Sequence, residues 1–246
     1  MNRTRAKAGL KILVLWCTIG TVALAWPRNV VVFGDSTTAA VPEYQVYGQL
    51  LAVELSARVG AAVTVINAGV RGDTTEKAEL RWQHDVLDHS PDLVVIQFGI
   101  NDATIDVWKT PPATTSRVPL REFRSHVLKF IRDARAQGAQ VVVMTPNPLS
   151  WKPRLVELYG RAPYDVTDPQ GLNVNLARYA EAVRDLAHTE GVPLVDVWAA
   201  HEAFAREHQE SLLLDGIHPN AGGHDLVARL LMTTLAAAGR GKTVGK

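Results

Sequence analysis

The 246-residue chain is 47% hydrophobic and 21% charged, which suits a domain with a full core and excludes a disordered or collagen-like polymer. Its 26 Lys+Arg against 25 Asp+Glu leave no basic excess for a phosphate backbone, so nucleic acid is not an expected partner. No internal repeat of roughly 20–50 residues is visible.

The first 25 residues differ in kind from the rest. Arg3, Arg5, Lys7 and Lys11 precede an apolar run from Ile12 to Leu24, and Ala23-Leu24-Ala25 has the small-x-small form of a cleavage site. This is the pattern of a secretory signal peptide, and the run is short of the roughly 20 residues a bilayer span needs. Residues 1–25 are therefore expected to be a cleaved leader, and the protein exported to a periplasm or the medium. The alternative is an uncleaved N-terminal anchor, which alone would make the membrane a partner. Losing the four basic residues of the leader turns 26 against 25 into 22 against 25, a formal −3. Cys17, the one cysteine of the chain, lies in this leader, so residues 26–246 hold no thiol nucleophile and no disulfide. A catalytic domain is expected over 26–238, and the Gly/Lys-rich residues 239–246 read as a flexible tail.

Five β-branched runs follow: Val30–Phe33, Val63–Asn67, Leu93–Phe98, Val141–Thr145 and Leu194–Val197. They are near-continuously apolar, as strands buried on both faces are. Between them apolar residues recur at helical spacing. Phe123, Val127, Phe130, Ile131 and Ala134 form one set, and Leu176, Tyr179, Ala180, Val183 and Leu186 a second. Val227, Leu230, Leu231 and Leu235 form a last one. Strands alternating with helices predict an α/β fold: a three-layer αβα, doubly wound sheet of about five parallel strands.

Ligands of such sheets bind beyond the carboxyl ends of the strands. There the sequence places Gly34-Asp35-Ser36, then Asn67 to Asp73, then Gly99-Ile100-Asn101-Asp102. Ser36, at an expected strand-to-helix turn, would expose its hydroxyl, although serine is also an ordinary helix cap. Asp215-Gly216-Ile217-His218 can supply a base and the carboxylate that orients it from a single loop. The Ser36 and Gly72 amides and the Asn101 side chain are candidate oxyanion donors, while Gly72 could be a plain turn glycine and Asn101 a cap. Asp35, Asp73 and Asp102 read as turn formers or supporting residues. His84, His89, His126, His188, His201, His208 and His224 read as surface or capping residues. Metal ligand spacing and a phosphate-cradling glycine loop are both missing from the sequence, so neither a metal nor a cofactor is expected.

Gly34-Asp35-Ser36, Gly72, Gly99-x-Asn101-Asp102 and Asp215-x-x-His218 together resemble the four blocks of the SGNH (GDSL) hydrolases, in order, across Asn29 to Leu235. The resemblance implies a flavodoxin-like sheet of five parallel strands. It also implies a serine ester hydrolase with catalytic Ser36 and His218, assisted by Asp215, and an oxyanion hole from Ser36, Gly72 and Asn101. Thr37 departs from the leucine that many members carry after the serine. The expected substrate is a small-molecule or glycan ester, above all a short-chain or O-acetyl ester on a carbohydrate. The loop from Pro146 to Gly171 carries Trp151, Arg154 and Tyr159 (with Tyr164 and Arg161), which are candidates to bind a sugar. A lysophospholipase or thioesterase acting on lipid acyl esters is the alternative, and an inactive glycan-binding module the alternative of another class.

Overall fold

Val30, Val31, Val32 and Phe33 are all completely buried, although successive side chains of a strand point to opposite faces. Such a strand needs a cover on each side. The structure, a computed structural model, describes residues 26–240 and provides both covers. The expected leader lies outside the described residues.

In chain order the elements are β1 (Asn29–Gly34), α1 (Tyr47–Val59), β2 (Thr64–Gly69), α2 (Thr75–Asp85), β3 (Leu93–Gln97), α3 (Ile100–Ala103) and α4 (Leu120–Ala136). They continue with β4 (Gln140–Met144), α5 (Pro153–Tyr159), α6 (Leu176–Glu190), β5 (Leu194–Val195), α7 (Val197–His208) and α8 (Ala221–Arg240). The strands form one parallel sheet in the order β2-β1-β3-β4-β5, the doubly wound flavodoxin-like arrangement.

One face packs Val31, Phe33, Val94, Ile96, Val141 and Val143 against α2, α4 and α6. Its centre is aromatic: the Phe130 ring lies 4.7 Å from Trp82 and 5.3 Å from Phe33, both centroid to centroid. The other face packs Val30, Val32, Leu93, Val95, Val142 and Met144 against α1 and α8. The helical faces expected on α4, α6 and α8 are the buried ones, with Leu230 partly buried at the edge of its cluster. Helix α8 runs to Arg240, two residues into the segment expected as a tail.

Four local expectations are corrected. The fifth strand stops at Val195 instead of Val197, because the Asp196 side chain accepts from the Ala199 amide and starts α7. Ser36 leaves β1 into a turn, and the first helix begins only at Tyr47. Residues 146–171 are not loop throughout, since Pro153 at a helix start opens α5. His201 and His224 are buried instead of lying on polar faces, and burial lowers each imidazole to a pKa of about 4.

Truncating Phe130 would empty the middle of the aromatic cluster. Phe130→Ala is expected to cost about 3–5 kcal/mol and to lower the unfolding midpoint by roughly 10 °C. Thermal unfolding followed by circular dichroism checks this, and a drop under about 2 °C would contradict the packing described.

Candidate active site

Register sets the level of the site. Gly34 of β1 pairs with Gly69 of β2 on one side and with Gln97 of β3 on the other. The three chains leave the sheet side by side and carry Ser36, Gly72 and Asn101 within the next four residues.

The turn after β1 is built by Asp35. Its buried Oδ1 accepts from the Thr37 amide at 2.9 Å and from the Thr37 hydroxyl at 2.8 Å, an Asx-turn. Burial pushes the Asp35 carboxyl above its ordinary pKa, against those two hydrogen bonds. Thr37, where many SGNH members have leucine, is therefore part of the turn that presents Ser36. Gly34 is required by close packing: a Cβ there would stand 2.1 Å from Thr38 Oγ1 and 2.7 Å from the Gln97 carbonyl oxygen. Arg81 ties the strand ends together by donating to the carbonyls of Gly34 (3.1 Å) and Ala68 (2.8 Å), and it pairs with Asp73 at 2.7 Å. Asp102 accepts from the amide and hydroxyl of Thr75, and burial raises its carboxyl to a pKa of about 6.

His218, the expected base, comes from the far end of the chain. A short antiparallel bridge between Leu213 and Pro219, with the Leu214 amide donating to the His218 carbonyl, closes a tight loop around Asp215 to His218. Gly216 sits in it at φ +91°, and a Cβ there would meet the Ser150 carbonyl oxygen at 2.3 Å. The loop is also pinned from the β4 side, where Asn147 Nδ2 donates to the Ile217 carbonyl at 2.9 Å.

Within this frame His218 Nε2 is 3.0 Å from Ser36 Oγ, and His218 Nδ1 is 2.8 Å from Asp215 Oδ2. The other Asp215 oxygen accepts from the amides of Ile217 (3.0 Å) and His218 (2.9 Å). Partial burial pushes the Asp215 carboxyl up, but the hydrogen bonds from His218 and Ile217 outweigh it and hold the carboxyl below its ordinary pKa. An ionised carboxylate only accepts, so Nδ1 carries the proton of a neutral ring and Nε2 is left as the acceptor for the Ser36 hydroxyl. The arrangement can take a proton from Ser36.

A cavity of about 360 Å³ opens beside Ser36 and His218, and Gly72 and Asn101 line it. Leu149, Leu155, Leu172, Leu176 and Ile217 make its wall largely apolar, with Tyr159, Tyr164 and Arg117 adding polar groups. A second depression of about 430 Å³ shares Ser36, Arg71 and His218 with the first and continues to Tyr44 and Leu214. Of the loop residues expected to meet a sugar, Tyr159 and Tyr164 line the first cavity. Trp151 faces a separate concavity and donates to the Asp168 carbonyl at 3.1 Å, and Arg154 pairs with Glu157 on the surface. Sequence reasoning passed over Arg71, Arg117 and Asn175, which also line the cavity. Arg117 follows Asn101 by 16 residues in an irregular polar stretch, and no periodicity or motif marks it. Among the described residues no three His, Cys, Asp or Glu side chains converge as a metal site.

A family model described as the GDSL-like lipase/acylhydrolase family matches residues 32–226. An uncharacterized lipoprotein of Bacillus subtilis is 32% identical over 222 residues, covering 86% of this chain and 88% of that protein. An acetylxylan esterase of Geobacillus stearothermophilus is 27% identical over 231 residues, 92% of this chain and 93% of its own. The crystal structure of a lipase/acylhydrolase from Enterococcus faecalis superposes with a TM-score of 0.65 at 26% identity, covering 86% of this chain and 96% of that one. The family model spans both the turn of Ser36 and the loop of His218, and on that match the chain belongs to the GDSL-like lipase/acylhydrolase family and is a carboxylic ester hydrolase.

Proposed function

We propose that this protein removes short acyl groups, above all acetyl, from the hydroxyls of a carbohydrate through an acyl-enzyme on Ser36. The observation that carries the chemistry is the continuous path from Ser36 Oγ through the His218 ring to Asp215, with contacts of 3.0 and 2.8 Å. His218 Nε2 takes the Ser36 proton as Oγ attacks the ester carbonyl. The Ser36 and Gly72 amides and Asn101 Nδ2 donate to the oxyanion. His218 then protonates the leaving alcohol, and water releases the acyl group by the same route. Asp215 keeps the ring in the tautomer that accepts from Ser36.

Two concavities meeting at Ser36 fit the two halves of an ester, one for the acyl group and one for the alcohol. The carbohydrate reading is supported by the acetylxylan esterase that matches along nearly the whole chain, and by Tyr159, whose ring at the cavity can pack on a sugar face. The leucine-rich wall favours a second reading, a longer lipid acyl chain. Export is supported by the leader-like residues 1–25 and by the Bacillus subtilis relative that is a lipoprotein.

Ser36→Ala is expected to lower kcat for p-nitrophenyl acetate by about 10⁴-fold or more, and His218→Ala nearly as much. Asp215→Ala keeps nucleophile, base and donors, so its activity should stay measurably above that of His218→Ala. Steady-state kinetics on the three variants decide this. A Ser36→Ala enzyme near wild-type turnover, or Asp215→Ala inactive while His218→Ala turns over, would contradict the assignment.

A second measurement concerns the substrate. In a series of p-nitrophenyl esters from two to ten carbons, run beside acetylated xylo-oligosaccharides, kcat/KM should be highest for acetate and acetyl release from the sugar should be readily measured. A maximum at eight carbons or more, with no acetyl release, would replace the carbohydrate reading by the lipid one.

A further inference from the structure

Asn101 serves an oxyanion only through its Nδ2 hydrogens. Rotated by half a turn, the same carboxamide would point an oxygen at the developing negative charge. The two ends are nearly identical in shape, so the neighbours must choose between them.

The neighbours of this residue choose from both sides. Arg117 Nη1 stands 3.0 Å from Asn101 Oδ1. A guanidinium has no acceptor, so only the oxygen end can face it. On the opposite side Nδ2 is 3.5 Å from Asp35 Oδ2, in the turn that carries Ser36. That contact is long and weak, which leaves the amide hydrogens available to a substrate.

Arg117 is itself held. Its Nε lies 3.2 Å from each oxygen of Asp106, and its Nη2 lies 2.7 Å from Oδ1. Asp106 is buried and also pairs with Lys109 at 2.8 Å. Its carboxyl is pushed up by burial but pulled further down by Arg117 and Lys109, to a pKa of about 2, so it is ionised at neutral pH. The Arg117 amide donates to the Thr104 carbonyl at 2.9 Å, which fastens the arginine to the residue that follows α3. A cation on the oxygen of a carboxamide also polarises it and strengthens its N–H donors.

We propose that Arg117, clamped by Asp106, is a positioning residue that fixes the Asn101 carboxamide with its N–H₂ group toward the oxyanion. The inference rests on the reading of Asn101 as an oxyanion donor and adds the device that keeps the donor facing the right way. Arg117 also lines the cavity, so direct contact with substrate is the competing role that the experiment must separate.

A double-mutant cycle on p-nitrophenyl acetate does so. Asn101→Ala should lower kcat by roughly 10²–10³-fold. Arg117→Met keeps the bulk of the side chain, and should lower kcat by about 10- to 100-fold with KM within about twofold, the loss of one charge-assisted hydrogen bond. Placed on Asn101→Ala, Arg117→Met should cost nothing further, because its only route to the reaction is gone. Arg117→Lys retains a donor but not the two-pronged grip on Asp106, and should fall between wild type and Arg117→Met. That conservative variant also keeps the test open should Arg117→Met fold poorly. Equal losses from Arg117→Met in both backgrounds, or a rise in KM alone, would overturn the inference in favour of direct substrate contact. Unchanged kcat in Asn101→Ala would remove the oxyanion reading itself, and the inference with it.

Discussion

Gly34, Gly69 and Gln97 lie abreast in the parallel sheet, and the polar chemistry of this protein depends on that alignment. Because β1, β3 and β4 are apolar on both faces, with α2, α4 and α6 packed on one and α1 and α8 on the other, the layers leave no room for reactive groups. Polar side chains collect where the strands stop. Parallel pairing then brings Ser36, Gly72 and Asn101, far apart in sequence, to one edge. A one-residue slip of β3 against β1 would turn every β3 side chain to the opposite face and displace Asn101 from Ser36 at the same time.

The edge alone supplies no imidazole. His218 enters from a loop near the other end of the chain, and three separate restraints hold that loop: the bridge at its base, the Asn147 contact, and the close approach of Ser150 that excludes any side chain at position 216. Asp215 is spent almost entirely on this loop. One of its oxygens takes two backbone amides and the other takes the His218 ring. The group that orients the imidazole thus also builds the turn that carries it. The same economy holds at Asp35, which shapes the Ser36 turn with one oxygen and faces Asn101 with the other.

Strands and the long amphipathic helices were legible because their patterns come from burial, which acts on residue type and spacing alone. The edges of elements were less so. Asp196 converts the end of an apolar run into a helix cap, and hydrophobicity carries no sign of that. Ser36, Gly72 and Asn101 could be singled out because they follow strand ends, and Asp215 and His218 because they share a short loop that matches a motif. Ser36, Gly72, Asn101 and His218 line one cavity, with Asp215 behind the His218 ring. The sugar-binding candidates of residues 146–171 were chosen by composition. In a segment without regular period, composition does not say where a side chain points: Tyr159 and Tyr164 reach the cavity, while Trp151 and Arg154 turn elsewhere. Arg117 was invisible for the converse reason, an ordinary surface-like arginine whose meaning comes only from Asn101 and Asp106 beside it.

The central claim is that Ser36 is a nucleophile activated by His218, and a covalent probe reads it without any assumption about substrate. Treatment of the protein with a fluorophosphonate, followed by peptide mass spectrometry, should find one phosphonyl adduct, on the peptide carrying Ser36. Labelling should be lost in Ser36→Ala and slowed by orders of magnitude in His218→Ala. An adduct on a different serine, or labelling of Ser36 that proceeds at the same rate without His218, would contradict the account.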